Sequence, residues 1–139
     1  MAAKNRVTLI NESGTYDGTA ASLIIANGAA AMGMDVSIFF TFWGLNVVKK
    51  GGLKKLPLSR MNMGGMGRWM IKSRMKKNNV QSLDELMADA MDLGVRFIAC
   101  DMTMIVMNVP EEKLIDNVEV GGIGTMLAAA KESAVTYYT

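Results

Sequence analysis

Val36-Ser-Ile-Phe-Phe-Thr-Phe42 is uncharged throughout and apolar at five of its seven positions. A strand with one wet face alternates apolar and polar residues; this run does not, so it reads as a strand covered on both faces. Upstream, Thr19 to Met32 is alanine-rich and apolar on nearly all sides, as a helix packed on a sheet would be, and Gly33 is its stop. Arg6 to Ile10 is a second β-rich run, followed by the turn residues Asn11, Ser13, Gly14, Asp17 and Gly18. Downstream, Leu45 to Lys50 is expected to be a short helix closed by Gly51-Gly52. Ser82-Leu-Asp-Glu85 has capping-box spacing, and Leu83, Leu86, Met87, Ala90 and Met91 repeat at helical intervals up to Gly94. Val95 to Cys100 is another buried strand. Short helices are expected over Asp101–Met107 and Pro110–Ile115, then a strand over Asn117–Val120. Gly121-Gly122-Ile-Gly124 reads as a tight turn, Thr125–Glu132 as a helix and Val135–Tyr138 as a last strand. Strands alternating with helices imply a three-layer α/β domain with a mostly parallel five-stranded sheet.

The 139 residues are read as one domain, 1–139, with a basic Met- and Gly-rich insertion at about 49–79. Gly18 to Met34 is uncharged but contains Asn27 and two internal glycines, and is read as a buried helix rather than a membrane span. The N-terminus runs directly into a strand with no signal peptide, so a cytoplasmic protein is expected. Histidine is absent, which excludes Ser-His-Asp triads, histidine zinc ligands and imidazole bases. A single cysteine, Cys100, excludes an internal disulfide and any site built on several thiolates. No metal site and no cofactor are expected.

Charge is distributed unevenly. Lys49 to Lys77 holds ten cations and no acid, whereas the rest of the chain holds five cations and thirteen acids. Such a segment either faces an anion, an acidic partner or a membrane surface, or is a solvated loop. Met61, Met63, Met66, Met70 and Met75 lie within it, as does Trp69. They either fill core space adaptably or form a docking face. Nucleic acid is a weaker reading, because Trp69 is the one aromatic residue there and the acidic body repels phosphate.

Neither Gly122-Ile-Gly124 nor Gly65-Met-Gly67 completes a dinucleotide fingerprint, since Leu127 and Met70 stand at the third position. The loop Asn11–Gly18 leaves a strand and enters a helix, where free N–H groups could receive an anion. Cys100 falls at the carboxyl end of a strand, just before a helix start. Backbone N–H donors there favour thiolate, while Asp101 opposes it. The other reading of Cys100 is a small buried hydrophobe.

Ala26-Asn-Gly-Ala-Ala-Ala-Met-Gly33, Phe39-Phe-Thr-Phe-Trp-Gly-Leu45, Met63-Gly-Gly-Met-Gly67 and Phe97-Ile-Ala-Cys-Asp-Met-Thr-Met104 follow one another along almost the whole chain. In combination they resemble the DsrE/DsrF/DsrH-like family, in particular a DsrE-like branch described as sulfurtransferase or peroxiredoxin-family. The resemblance implies a Rossmann-like fold, a homo-oligomer, and a cysteine carrying sulfane sulfur as a persulfide or thiosulfonate. The family's sulfur-carrying cysteine corresponds to Cys100, within a Cys-x-Met-Ser/Thr-Met pattern met by Cys100, Met102, Thr103 and Met104. This chain departs at Asn108, where relatives commonly have glycine, and lacks the second cysteine of some relatives.

The expected mechanism has the Cys100 thiolate attack a sulfur donor such as thiosulfate, tetrathionate or a protein persulfide, then pass the sulfur to an acceptor thiol. Asn11, Ser13, Gly14, Arg68, Arg74 and Thr103 are the candidate substrate or anion contacts. The alternative is a non-catalytic oligomeric adaptor, or a peripheral membrane or partner-docking protein, acting through the basic Met-rich segment.

Overall fold

The structure, a computed structural model, describes residues 4–139. Strands β1 (Arg6–Asn11), β2 (Asp35–Phe40), β3 (Arg96–Cys100), β4 (Val118–Gly121) and β5 (Val135–Tyr138) form one sheet in the order β4-β3-β2-β1-β5. Every neighbouring pair is parallel, so the sheet is all-parallel rather than mostly so. Parallel neighbours require crossovers. Helix α1 (Tyr16–Ala31) joins β1 to β2. A long passage containing α2 (Met66–Lys77) and α3 (Leu83–Asp92) joins β2 to β3. Helix α4 (Asp101–Val106) follows β3, and α5 (Ile123–Lys131) joins β4 to β5.

Val36–Phe40 lies in the central strand β2, while Thr41 and Phe42, read with it, leave the sheet and Phe42 starts a 3-10 turn. Alternate side chains of β2 enter two different layers. Val36, Ile38 and Phe40 join Leu9, Phe97 and Ala99 against Leu23 and Ala26 of α1 and Leu86 and Ala90 of α3. The Phe40 and Phe97 rings stack with centroids 5.9 Å apart. Phe39 faces the other way with Ile98 and Cys100, against Met126 of α5. That second layer is thin and partly polar: the Thr8 and Ser133 hydroxyls hydrogen-bond at 2.7 Å, and Ser133 is held in turn by the Ala129 carbonyl. The uncharged Gly18–Met34 stretch is α1 and the turn after it. No helix among the described residues is long and apolar enough to cross a membrane.

Three local expectations are corrected. The helix expected at Leu45–Lys50 is a 3-10 turn over Phe42–Val47. The Gly44 N–H donates to the Glu12 and Thr41 carbonyls, which pins this stretch to the end of β1 and tightens the coil. In place of the helix at Pro110–Ile115 stands one 3-10 turn, Glu111–Lys113. An antiparallel bridge between Lys49 and Leu114, with Ile115 N–H donating to the Val48 carbonyl, draws the flanking residues into extended backbone. Helix α5 starts at Ile123, so Gly124 belongs to the helix and not to the turn.

Candidate active site

Cys100 is the last residue of β3, and α4 begins at the next position. Alternation along β3 puts its side chain on the thin face of the sheet, where it is 4% exposed and packed with Phe39, Ile98 and Met126. Its register partner on β4 is Gly121, which brings no side chain beside the sulfur. Among the described residues, α5 is the helix that covers this face, and it starts beyond Gly121-Gly122. The strand ends therefore stay open, leaving a cavity of about 550 Å³ that Cys100 lines. Ile10, Phe39, Phe42, Met102, Ile123 and Tyr138 give it largely apolar walls.

One wall is fixed by a hydroxyl clasp. Thr103, 1% exposed, accepts the Phe42 N–H at 3.0 Å, and its Oγ1 lies 3.1 Å from that of Thr41. Phe42 is held at φ 48°, a left-handed conformation unusual for an aromatic residue. Thr103, an expected anion contact, thus has its hydroxyl engaged with Thr41 and the Phe42 backbone and does not line the cavity.

Among the described residues, the charged groups lining the cavity are Glu12 and Asp101, and no cation lines it. Asp101 accepts the Met102 N–H at 2.6 Å, and a Cβ on Gly122 would stand 3.2 Å from its Oδ1, so the glycine makes room for the carboxylate. Arg68 donates to the Leu56 carbonyl at 3.3 Å, and Arg74 sits in the last turn of α2; neither lines the cavity.

Asn11 ends β1, and Ser13 and Gly14 lie in the loop that follows it, all three with their polar groups engaged inside the chain. Asn11 is fully buried, accepting from Gly14 N–H at 3.1 Å and donating to Thr19 at 3.2 Å. Ser13 N–H donates to the Thr139 carbonyl, and its hydroxyl meets that of Thr15. Gly14 is at φ 61°, with the Trp43 carbonyl where a Cβ would be. Thr15 caps α1 by accepting from Gly18 N–H. Next to it, burial alone would raise the Asp17 carboxyl, but hydrogen bonds from the Ser59 side chain and backbone outweigh this and leave it below its ordinary value. Tyr16 moves the other way: burial, then the charge of Asp84, holds its phenol above the usual range.

Of the candidate site residues only Cys100 lines the cavity; Glu12, Phe42, Met126 and Tyr138, which carry no local sequence signal for a site, do so as well. They come from four separate segments, which meet only through the strand order. No cluster of three or more metal-ligating side chains occurs among the described residues. At Asn108, φ is 52°, so the position does require the left-handed backbone that glycine adopts freely and asparagine tolerates.

The all-parallel five-stranded sheet thus carries the one cysteine at its carboxyl edge, beside the cavity. The description of the DsrE/DsrF/DrsH-like family matches residues 3–55 and 50–138, and the chain belongs to that family. It is 41% identical to Uncharacterized protein YrkE of Bacillus subtilis (strain 168), with 96% of each chain covered. It is 31% identical to Sulfur carrier protein DsrE2 of Allochromatium vinosum, over 97% of this chain and 98% of that one. Among solved structures it is similar to the ychN protein from E. coli, with a TM-score of 0.63 and 10% identity over 99% of this chain and 100% of that one. Protein MTH1491 from Methanobacterium thermoautotrophicum is similar at a TM-score of 0.55 and 19% identity, over 95% and 96% of the two chains.

Proposed function

We propose that this protein is a sulfur carrier that holds sulfane sulfur on Cys100 and exchanges it with thiols borne by partner proteins. The observation that carries the reading is the position of Cys100: the only cysteine of the chain lines an open cavity at the carboxyl edge of the sheet. Family membership supports it, as does the name of the A. vinosum relative. In loading, the Cys100 thiolate attacks the outer sulfur of a donor persulfide. A new S–S bond forms to Cys100, the donor S–S bond breaks, and the donor leaves as a thiolate. In discharge, an acceptor thiolate attacks the outer sulfur on Cys100, and Cys100 leaves as thiolate. The two steps are the same exchange in opposite directions and need no external oxidant. With no second cysteine, the loaded sulfur cannot be expelled by an internal disulfide.

The lining of the cavity favours one kind of donor. Thiosulfate or tetrathionate would approach Glu12 and Asp101 with no cation to offset them, because Arg68 and Arg74 lie elsewhere. A persulfide carried on another protein brings no sulfonate group toward these carboxylates, and walls such as Phe42, Ile123 and Tyr138 offer its surroundings apolar surface.

The test is discharge. Protein loaded with a persulfide donor and freed of excess reagent is mixed with a thiol acceptor, and both partners are followed by intact mass. One sulfur atom leaves Cys100 as one appears on the acceptor. An adduct that no thiol removes would contradict a carrier.

A further inference from the structure

The basic segment takes no part in the cavity, and its exposed surface has a composition the fold does not explain. Its ten cations have no acid among them in sequence. The one ion pair among the described residues is Arg96–Glu119, outside the segment, so no carboxylate at ion-pair distance neutralises any of the ten. Met61, Met63, Met66, Trp69 and Met70 are also turned out to solvent, Trp69 with 69% of its surface exposed.

Helical spacing organises these groups. Gly67 is buried and Ile71 and Met75 are half-buried on the inner side of α2, the latter two packing against the main core. Met66, Trp69, Met70, Arg74 and Lys77 fall at intervals of three and four along the outer side, apolar at the first turns and cationic at the last. The preceding loop is tied to the helix: the Asn62 carbonyl accepts from both Gly65 and Gly67 N–H, and a Cβ on Gly67 would stand 1.9 Å from the Met61 carbonyl. Met61 and Met63 are held at φ 56° and 46° there, with their side chains displayed outward. The segment is fastened to α1 by Tyr16 N–H donating to the Pro57 carbonyl at 2.7 Å and by Ser59 N–H donating to Asp17 at 2.9 Å.

We propose that the outer face of α2 and the loop before it form a docking surface for a bilayer containing anionic lipid. Unpaired cations supply attraction to the headgroups, and the methionines and Trp69 enter the boundary between headgroup and acyl chain. Flexible apolar side chains suit that irregular boundary. Tryptophan suits it because its ring is apolar with one polar edge. Nucleic acid would use the cations but leave four methionines in water, with Trp69 alone able to stack. A bilayer occupies both halves of the surface.

The experiment is sedimentation of the full chain with vesicles of phosphatidylcholine, alone or mixed equally with phosphatidylglycerol. Trp69 emission is followed in a Trp43→Phe background. The expected result is binding to the anionic vesicles at low salt with a blue shift, no binding to phosphatidylcholine alone, and release at high salt. Replacing Arg74 and Lys77 together by glutamine weakens partitioning roughly 25-fold, about fivefold per cation. Trp69→Ala weakens it while leaving the salt dependence unchanged. Cys100→Ser binds like the parent, which separates this surface from the sulfur site. Absence of binding to anionic vesicles overturns the proposal. So does binding that is insensitive to both the charge and Trp69 variants, or displacement from vesicles by duplex DNA whose own binding ignores Trp69→Ala.

Discussion

The Cys100 cavity and the α2 segment are both exposed regions of one small chain, yet they are built in opposite ways. The cavity sits on the ends of parallel strands, its walls are apolar, and its charges are the carboxylates of Glu12 and Asp101. The α2 surface stands on a short helix and a loop outside the sheet, and its charges are cations. The contrast teaches that a basic segment and a lone cysteine of one small chain need not share a site. Arg68 could have held an anionic leaving group, but its guanidinium is tied to Leu56. On the proposed readings, the strand ends would hold the sulfur chemistry and the α2 segment a separate docking surface.

The largest expected effect tests which of the two regions global stability rests on. At Gly44 a Cβ would lie 1.8 Å from the Asn11 carbonyl, inside the junction that supports the cavity. Gly44→Ala is expected to cost about 3 kcal/mol in urea unfolding. Gly67→Ala meets an equally close carbonyl but should leave the global midpoint nearly unchanged and open the loop before α2 to protease. Equal global losses from both would erase the distinction.

A middle-sized effect sharpens the account of the cavity wall. Thr103→Val removes the acceptor for Phe42 N–H, with an expected loss of about 1–2 kcal/mol. Freed from the clasp, Phe42 should relax from its left-handed conformation, and discharge of loaded sulfur should slow. Unchanged stability and discharge together would show that the clasp orders nothing.

The smallest effect lies at the seam between the regions. Asp17 is held below its ordinary carboxylate value when folded, so its contribution is present at neutral pH and is lost as pH falls through that lowered value. Asp17→Asn is expected to lower the melting temperature slightly at pH 7. The gap from the parent should close on acidification below about pH 4, the usual carboxylate range. A gap that is constant with pH would contradict the charge-assisted bonds to Ser59.

Much of this architecture was legible because its signals are local. The uninterrupted Val36–Phe40 run marked a doubly covered strand, the Ser82–Glu85 spacing marked the start of α3, and Cys100 marked a strand end. The corrected elements were set by long-range contacts instead. Gly44 bonding to Glu12, and Lys49 pairing with Leu114, reshaped segments whose own sequence suggested helix. The same reason hid most of the cavity beyond Cys100: Glu12, Phe42, Met126 and Tyr138 meet through the sheet order, on which no short window of sequence bears. A run of cations, likewise, does not state which way it faces. The turn after α4 was readable in part, since Asn108 is one of the few residues other than glycine at ease with its backbone.

The most direct measurement is intact mass after brief exposure of the reduced protein to a persulfide donor, beside Cys100→Ser treated identically. The account predicts one added sulfur atom on the parent, removed by reductant, and none on the variant. A folded parent whose thiol reacts with an alkylating reagent but takes up no sulfur, or equal uptake by the variant, would contradict it.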